Sequence, residues 1–159
     1  GAGSTQHQHL VQTEVPPKTL ADWLGPWREH NGISDDLKVS LRPHTPGSQI
    51  LELSLKNGDE KVANIVFNVM EDRAGRVFLS VRDQNTFDLD LRRKRLMTLM
   101  HLFLIHRYKA ESIHYLTPTE DNKNAADALV RRGLFTSSHD EVGDIIVADI
   151  SAEIGRAHV

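Results

Sequence analysis

Residues 77–108 read VFLSVRDQNTFDLDLRRKRLMTLMHLFLIHRY, and this stretch decides the fold. Val77, Leu79 and Val81 alternate with Phe78, Ser80 and Arg82, a spacing of two that predicts a strand. From about Asp88 to Tyr108 the apolar side chains fall on more than one side of a helix. The stretch therefore predicts a strand that leads directly into a long, largely buried helix.

The residues before this stretch predict two more strands and a helix. Apolar and polar side chains alternate over residues 51–55, and Asn57-Gly58 is a strong hairpin signal. The chain returns through residues 62–70 and turns again at residues 72–75, so the three strands form an antiparallel meander. A helix capped by Thr19 precedes the meander; Pro26 would break or bend it, and Asn31-Gly32 would end it.

The residues after this stretch predict a strand, a helix and a last strand. The strand covers residues 113–116, the helix residues 122–132 up to Gly133, and the last strand residues 145–150. Ser137-Ser138-His139-Asp140 brings a serine, a histidine and an acid together, but we interpret this run as a turn, because a catalytic triad is defined by geometry across a fold. The element order is that of an α+β (mixed α/β) protein, with a central, mostly antiparallel sheet flanked by helices.

The composition limits the classes of protein that this chain can represent. It has 159 residues, a formal net charge of -3 and no cysteine, which excludes disulfides and thiolate metal sites. A chain of this length buries a single core. Its longest nearly apolar run, Leu96 to Ile105, is ten residues, whereas a bilayer-spanning helix needs about 20. The near-neutral charge argues against a nucleic-acid binder. From the length, the short apolar run and the charge together, we expect one domain with neither a membrane nor a nucleic-acid partner.

The first residues of the chain read as a linker. Gly1–Ser4 is typical of the remnant of a removed tag, and residues 5–18 are polar, with Pro16-Pro17 and no apolar periodicity. We interpret residues 1–18 as tag remnant and linker and residues 19–159 as the folded domain. A linker without an initiator methionine predicts that the domain comes from a longer polypeptide.

Residues 122–135 read NKNAADALVRRGLF and resemble the late motif of the GNAT acyltransferase superfamily, in which an Asn-rich turn leads into a short helix and a Gly-aromatic segment. The element order resembles the same superfamily. This resemblance implies that the turn before the long helix binds the pyrophosphate of coenzyme A through backbone N–H groups, which a helix N-terminus leaves unpaired. The implied contacts are, on the pyrophosphate side, Leu91, Arg92, Arg93, Lys94, Arg95, Leu96 and Met97, and on the pantetheine side Val81, Arg82, Asn122 and Asn124.

The turn itself departs from the superfamily pattern. Arg95 and Met97 stand where that pattern has small residues, within a run of four cations over residues 92–95. Arginine side chains match phosphate oxygens bidentately and could replace backbone contacts. The alternative interpretation is a solvated, basic start of the helix.

The residues expected for acyl transfer are missing. The superfamily's usual general acid is a tyrosine of the late motif, whose place is taken here by Leu129 or Val130, and the strand at residues 76–82 has no Glu to serve as a base. We interpret Tyr108 and Tyr115 as packing residues and predict no catalytic residue. The sequence thus favours a binding module; the alternatives are an active N-acyltransferase that uses acetyl-CoA with an acid such as Tyr115, and a structural or dimerising module.

The degenerate motif, together with the closing residues 144–150 and 155–159, resembles the C-terminal regulatory domain of the long-form mycobacterial isocitrate lyases. That resemblance implies a domain that binds acetyl-CoA or propionyl-CoA as an allosteric ligand. The ligand would activate an isocitrate or methylisocitrate lyase domain upstream in the same chain, in the glyoxylate and methylcitrate cycles. The resemblance also implies self-association in a homo-oligomer and a cytoplasmic location. It implies no metal in this domain, because the lyase chemistry uses Mg²⁺ together with a cysteine, and this chain has no cysteine.

Overall fold

The computed structural model describes residues 17–141 and 145–150 of the chain. The strands in this part of the chain form a seven-stranded sheet in the order β1-β2-β3-β4-β5-β7-β6. All neighbouring strands are antiparallel except β4 and β5, which are parallel, so the predicted α+β class with a mostly antiparallel sheet is confirmed. In chain order the elements are α1 (Pro17–Asn31), β1 (Leu37–Pro43), β2 (Leu51–Asn57), β3 (Glu60–Glu71), β4 (Val77–Thr86), a 3-10 turn (Leu89–Leu91), α2 (Leu96–Tyr108), β5 (Ser112–Leu116), α3 (Glu120–Arg131), β6 (Phe135–Glu141) and β7 (Ile145–Ile150).

The helices pack against one face of the sheet. Residues paired across neighbouring strands share a face, and on this face the pairing aligns the buried Leu41, Leu53 and Ile65. The ring of Tyr108 in α2 meets that of Phe67 in β3 edge-on at 5.8 Å between centroids. Helix α1 packs on α2 through the rings of Trp23 and Phe103, 6.2 Å apart. The core therefore lies between this face and helices α1 and α2.

Helix α1 begins two residues before the predicted cap at Thr19. It starts at Pro17, where proline is tolerated because the first N–H groups of a helix are unpaired anyway. The helix continues through Pro26 without a break and ends before Gly32, whose φ of +66° suits glycine. The predicted linker lies outside the described residues except for its last two.

The antiparallel strands that precede α2 include one strand more than the sequence predicts. The meander of β2, β3 and β4 is confirmed, but β1 precedes it and pairs with β2 from Leu37↔Asn57 to Pro43↔Leu51. This edge strand was missed because its apolar alternation is short and ends in a proline, which strand interiors exclude but edges tolerate. The hairpin between β2 and β3 turns at Gly58, with φ +63°, as predicted.

The buried helix starts later than the sequence predicts. Helix α2 begins at Leu96 instead of about residue 88, and the intervening chain forms the 3-10 turn and an irregular segment. The side chain of Asp88 accepts a hydrogen bond from the Asp90 N–H and so caps the 3-10 turn. Arg93 and Arg95 have φ of +61° and +63°, and these left-handed conformations interrupt the helix.

The last part of the fold also differs from the prediction. Thr119 caps α3 by accepting from the Asn122 N–H at 3.1 Å, and Gly133, with φ +84°, ends it as predicted. The turn predicted at Ser137–Asp140 is wrong, because these residues lie in β6 and pair with β7. No helix in the described part of the chain is long and apolar enough to cross a membrane.

The sheet opens next to β4. Strands β4 and β5 pair only from Phe78↔Ser112 to Val81↔Tyr115, and β4 then continues to Thr86 without β5 beside it. Phe67 of β3 pairs with Val81 and the next partner, Val66, pairs with Asp83, so Arg82 is the extra residue of a β-bulge. Because β4 continues beyond its last pair with β5, and because of the bulge at Arg82, a gap remains between β4 and helix α3.

Candidate functional site

A cleft of about 980 Å³ occupies this gap. Its walls are the end of β4 from Asp83 to Thr86, the turn and first residues of α2, and one side of α3. The cleft exists because β4 outruns β5 and because the irregular segment before α2 keeps that helix from closing over the opening.

The cleft brings together eight of the eleven residues that the sequence implies for a coenzyme A site. The eight that line it are Leu91, Arg92, Arg93, Arg95, Leu96, Met97, Asn122 and Asn124. Val81 does not line it, because its side chain is buried in the core, and Arg82, at the bulge, is exposed outside it. The Lys94 ammonium does not line it either, since it donates to the Asp90 carbonyl at 2.7 Å.

Hydrogen bonds from distant parts of the chain hold the irregular turn before α2. The indole N–H of Trp27 in α1 donates to the Lys94 carbonyl at 2.7 Å. The guanidinium of Arg92 donates through Nε to the Thr86 carbonyl at 3.0 Å. These bonds stabilise a backbone in which Arg95 takes the left-handed conformation that glycine takes most easily.

The entrance of the cleft is electropositive. Arg92, Arg93 and Arg95 are exposed at its edge, and Arg131 and Arg132 line it from the end of α3. The lining also contains two carboxylates, Asp83 and Asp121, so the five arginines leave the cleft lining with a formal charge of +3. The N-terminus of α2 adds to this potential, because no side chain of the described residues caps it and its first N–H groups have no partner within the helix. The cleft is therefore suited to a polyanion such as a pyrophosphate.

A buried histidine–tyrosine pair closes the inner side. His101 lines the cleft but is only 2% exposed. Its Nδ1 lies 2.8 Å from the Met97 carbonyl, which can only accept, so Nδ1 carries the proton and Nε2 accepts from the Tyr115 hydroxyl at 2.9 Å. Burial lowers the pKa of His101 to about 4 and raises the pKa of Tyr115 above its usual value. Both groups are neutral at pH 7, and Tyr115 does not line the cleft.

Sequence reasoning missed several of the lining residues. The bulge at Arg82 changes which later side chains of β4 face the helices, and no pattern in the sequence marks that position. Arg131 and Arg132 were visible only as the last residues of a helix. Among the described residues, no group of three or more histidine, aspartate or glutamate side chains could hold a metal ion.

Comparison with known proteins identifies both the fold and the relatives. The chain is 12% identical to the aminoglycoside N(6')acetyltransferase from Legionella pneumophila, with a TM-score of 0.50 over 89% of this chain and 92% of that one. The fold is GNAT-like. No protein-family model matches the sequence.

Sequence similarity points to the isocitrate lyases. Over 152 residues the chain is 53% identical to isocitrate lyase 2 of Mycobacterium tuberculosis, covering 95% of this chain and 20% of that protein. It is equally similar, over the same shares of both chains, to isocitrate lyase 2 of Mycobacterium bovis. The chain thus spans about a fifth of the length of these relatives, and the expected resemblance to the long-form mycobacterial isocitrate lyases is confirmed.

Proposed function

We propose that this chain is a regulatory domain that binds acetyl-CoA or propionyl-CoA and activates an isocitrate or methylisocitrate lyase domain of the same polypeptide. The observation that carries the proposal is the cleft: five arginines and an uncapped helix N-terminus surround its entrance. Coenzyme A derivatives combine a pyrophosphate and a 3′-phosphate with a long uncharged arm. A cleft with a basic entrance and an uncharged inner side suits that combination.

The conformation of the turn supports a phosphate site despite its unusual sequence. Arg95 stands where the superfamily pattern has a small residue, yet its φ of +63° is one that glycine adopts. The backbone at Arg95 therefore has the left-handed conformation that a glycine would adopt there. In the described part of the chain, Arg93 and Arg95 make no hydrogen bond or ion pair with other side chains. These two guanidinium groups are available to phosphate oxygens, whereas Arg92 and Lys94 are partly engaged with backbone carbonyls.

The inner side of the cleft favours binding over catalysis. An acyltransferase that used Tyr115 would need its hydroxyl to reach the departing thiolate of coenzyme A. That hydroxyl is buried, lies outside the cleft lining, and donates to His101. Burial holds the pKa of His101 near 4, so its Nε2 is too weak a base to take the proton of the Tyr115 hydroxyl. We propose a domain that holds its ligand without turning it over.

Activation would then follow from linkage between ligand binding and domain arrangement. A ligand that binds one arrangement of lyase and regulatory domains more tightly shifts the population toward that arrangement. The similarity to one part of isocitrate lyase 2 supports a partner lyase domain in the same polypeptide, and we propose that regulatory domains also associate with one another in its oligomer.

The test is lyase activity of a polypeptide that joins this domain to its lyase domain, measured with increasing acetyl-CoA or propionyl-CoA. We expect activation, and we expect Arg93→Ala with Arg95→Ala to raise the half-activating concentration about tenfold, because two exposed charge-assisted contacts are together worth about 1–2 kcal/mol. Arg73→Ala, in the exposed turn at the other end of β4, is the matched control and should change nothing. Activity that does not respond to either thioester would contradict the proposal.

A further inference from the structure

The side chain of Gln84 occupies an unusual position on β4. Without the bulge at Arg82, strict alternation from Val81 would place Asp83 on the helix-packed face. The bulge shifts the alternation by one residue, so Gln84 pairs with Ile65, faces the helices and lines the cleft. The bulge thus turns the uncharged amide of Gln84, in place of the Asp83 carboxylate, toward the helices, while the exposed Asp83 still lines the cleft beside it.

Within the part of the chain that the structure describes, the NH₂ group of the Gln84 amide has a hydrogen-bond partner and the carbonyl oxygen has none. The side chain is 8% exposed, and its Nε2 donates to Asn122 Oδ1 in α3 at 3.2 Å. This bond orients the amide, and the carbonyl oxygen Oε1 is left buried with no hydrogen-bond partner among the described residues. Buried carbonyl groups in proteins are nearly always paired, because an unpaired one loses its hydration without compensation. A ligand in the cleft that offers an N–H donor would remove this deficit.

A second buried amide, Asn68, lies outside the cleft and allows a comparison with Gln84. Asn68 is 6% exposed, and its Oδ1 also lacks a partner among residues 17–141 and 145–150, while its Nδ2 lies 2.8 Å from the sulfur of Met70. Asn68 pairs with Ser80 on the other face of the sheet and does not line the cleft. Of these two buried amides, Gln84 is the one whose unpaired acceptor belongs to a residue of the cleft lining.

We propose that Gln84 Oε1 accepts a hydrogen bond from an amide N–H of the pantetheine arm of the bound acyl-CoA. This inference rests on the proposed function. The two secondary amides of that arm are uncharged donors that come after the phosphates along the ligand. In the cleft, Gln84 is a buried lining residue, whereas the arginines Arg92, Arg93 and Arg95 are exposed. Gln84 is therefore a specificity residue that distinguishes a pantetheine thioester from a nucleotide that carries the same phosphates.

The experiment compares two ligands on three proteins by calorimetry. Acetyl-CoA has the pantetheine arm, and 3′,5′-ADP has the adenosine, the 3′-phosphate and the first of the two 5′-phosphates but no arm. Gln84→Met keeps the length of the side chain and removes the acceptor; we expect it to weaken acetyl-CoA binding about three- to twelvefold, the usual range for one hydrogen bond, and to leave 3′,5′-ADP binding within twofold. Asn68→Leu removes the matched amide outside the cleft and should bind both ligands as the unaltered protein does.

Each outcome decides the question. Unchanged acetyl-CoA affinity in Gln84→Met would overturn the inference and leave the proposed function standing, as would an equal loss for both ligands. Absence of binding by the unaltered protein would overturn the proposed function itself. Should Gln84→Met fail to fold, the side-chain amide resonances of Gln84 in the unaltered protein serve instead: they should shift with acetyl-pantetheine and not with 3′,5′-ADP, and the reverse pattern would refute the inference.

Discussion

Replacing the buried pair His101 and Tyr115 should remove a large part of the pH dependence of stability. His101 is neutral in the folded protein because burial lowers its pKa from 6.5 to about 4. As the pH falls, the imidazole of His101 takes up a proton near pH 6.5 in the unfolded chain and only near pH 4 in the folded chain. Between these values the unfolded state binds more protons, so the free energy of unfolding falls as the pH falls.

The two pKa values fix the size of the effect. At about 1.4 kcal/mol per pKa unit, the complete loss between pH 7.5 and pH 3 is about 3 kcal/mol, and about 2 kcal/mol of it occurs between pH 7.5 and pH 5.0. His101 is 2% exposed, so solvent screening does not reduce this value appreciably. The double variant His101→Leu with Tyr115→Phe has no titrating group at this position and leaves neither hydroxyl nor ring nitrogen unpaired.

Urea unfolding, followed by the fluorescence of Trp23 and Trp27, measures the difference. We expect the unaltered protein to lose about 2 kcal/mol more than the double variant between pH 7.5 and pH 5.0, which is about 1 M in the urea midpoint at a slope near 2 kcal/mol per M. His30→Gln, at an exposed position of α1, should behave as the unaltered protein. Equal pH dependence in the unaltered protein and the double variant would refute the assignment of His101 as a buried neutral group.

Two further predictions concern the turn before α2. Trp27→Phe keeps an aromatic ring but loses the bond to the Lys94 carbonyl; it should lower the free energy of unfolding by about 1 kcal/mol and weaken acetyl-CoA binding, whereas Trp23→Phe should leave affinity within twofold. If both variants bind equally well, Trp27 does not position the turn. Because Arg95 has a positive φ, Arg95→Gly should be more stable than Arg95→Ala by about 1 kcal/mol in the same urea assay, and the opposite order would exclude the left-handed conformation.

The parts of the fold that the sequence predicted are those specified locally. Gly58 and Gly133 stand where the backbone needs a positive φ, and the apolar run from Leu96 to Ile105 can only be buried. Strand β1 and strand β6 escaped prediction because pairing with a neighbour stabilises them more than their own pattern does. The Ser137–Asp140 run has almost no apolar alternation and becomes a strand only beside β7.

The candidate site was predictable in outline but not in its contacts. The basic run and the Asn-rich segment located its two sides, since both are continuous in sequence. The conformation of Arg95 depends on Trp27, 67 residues before Lys94, and the exposure of Gln84 to the cleft depends on a bulge at Arg82. Such long-range contacts and register shifts leave no local signal in the sequence.

The most direct test of the account is calorimetric titration of acetyl-CoA into this chain at pH 7.5, with free coenzyme A and ATP as comparison ligands and a thiol reagent to detect released coenzyme A. The account predicts saturable binding of acetyl-CoA, weaker binding of ATP, and no release of thiol in the presence of an amine acceptor. Release of coenzyme A at a steady rate would show an acyltransferase instead of a sensor. Absence of binding at millimolar acetyl-CoA would contradict the central claim that the cleft between β4 and α3 is an acyl-CoA site.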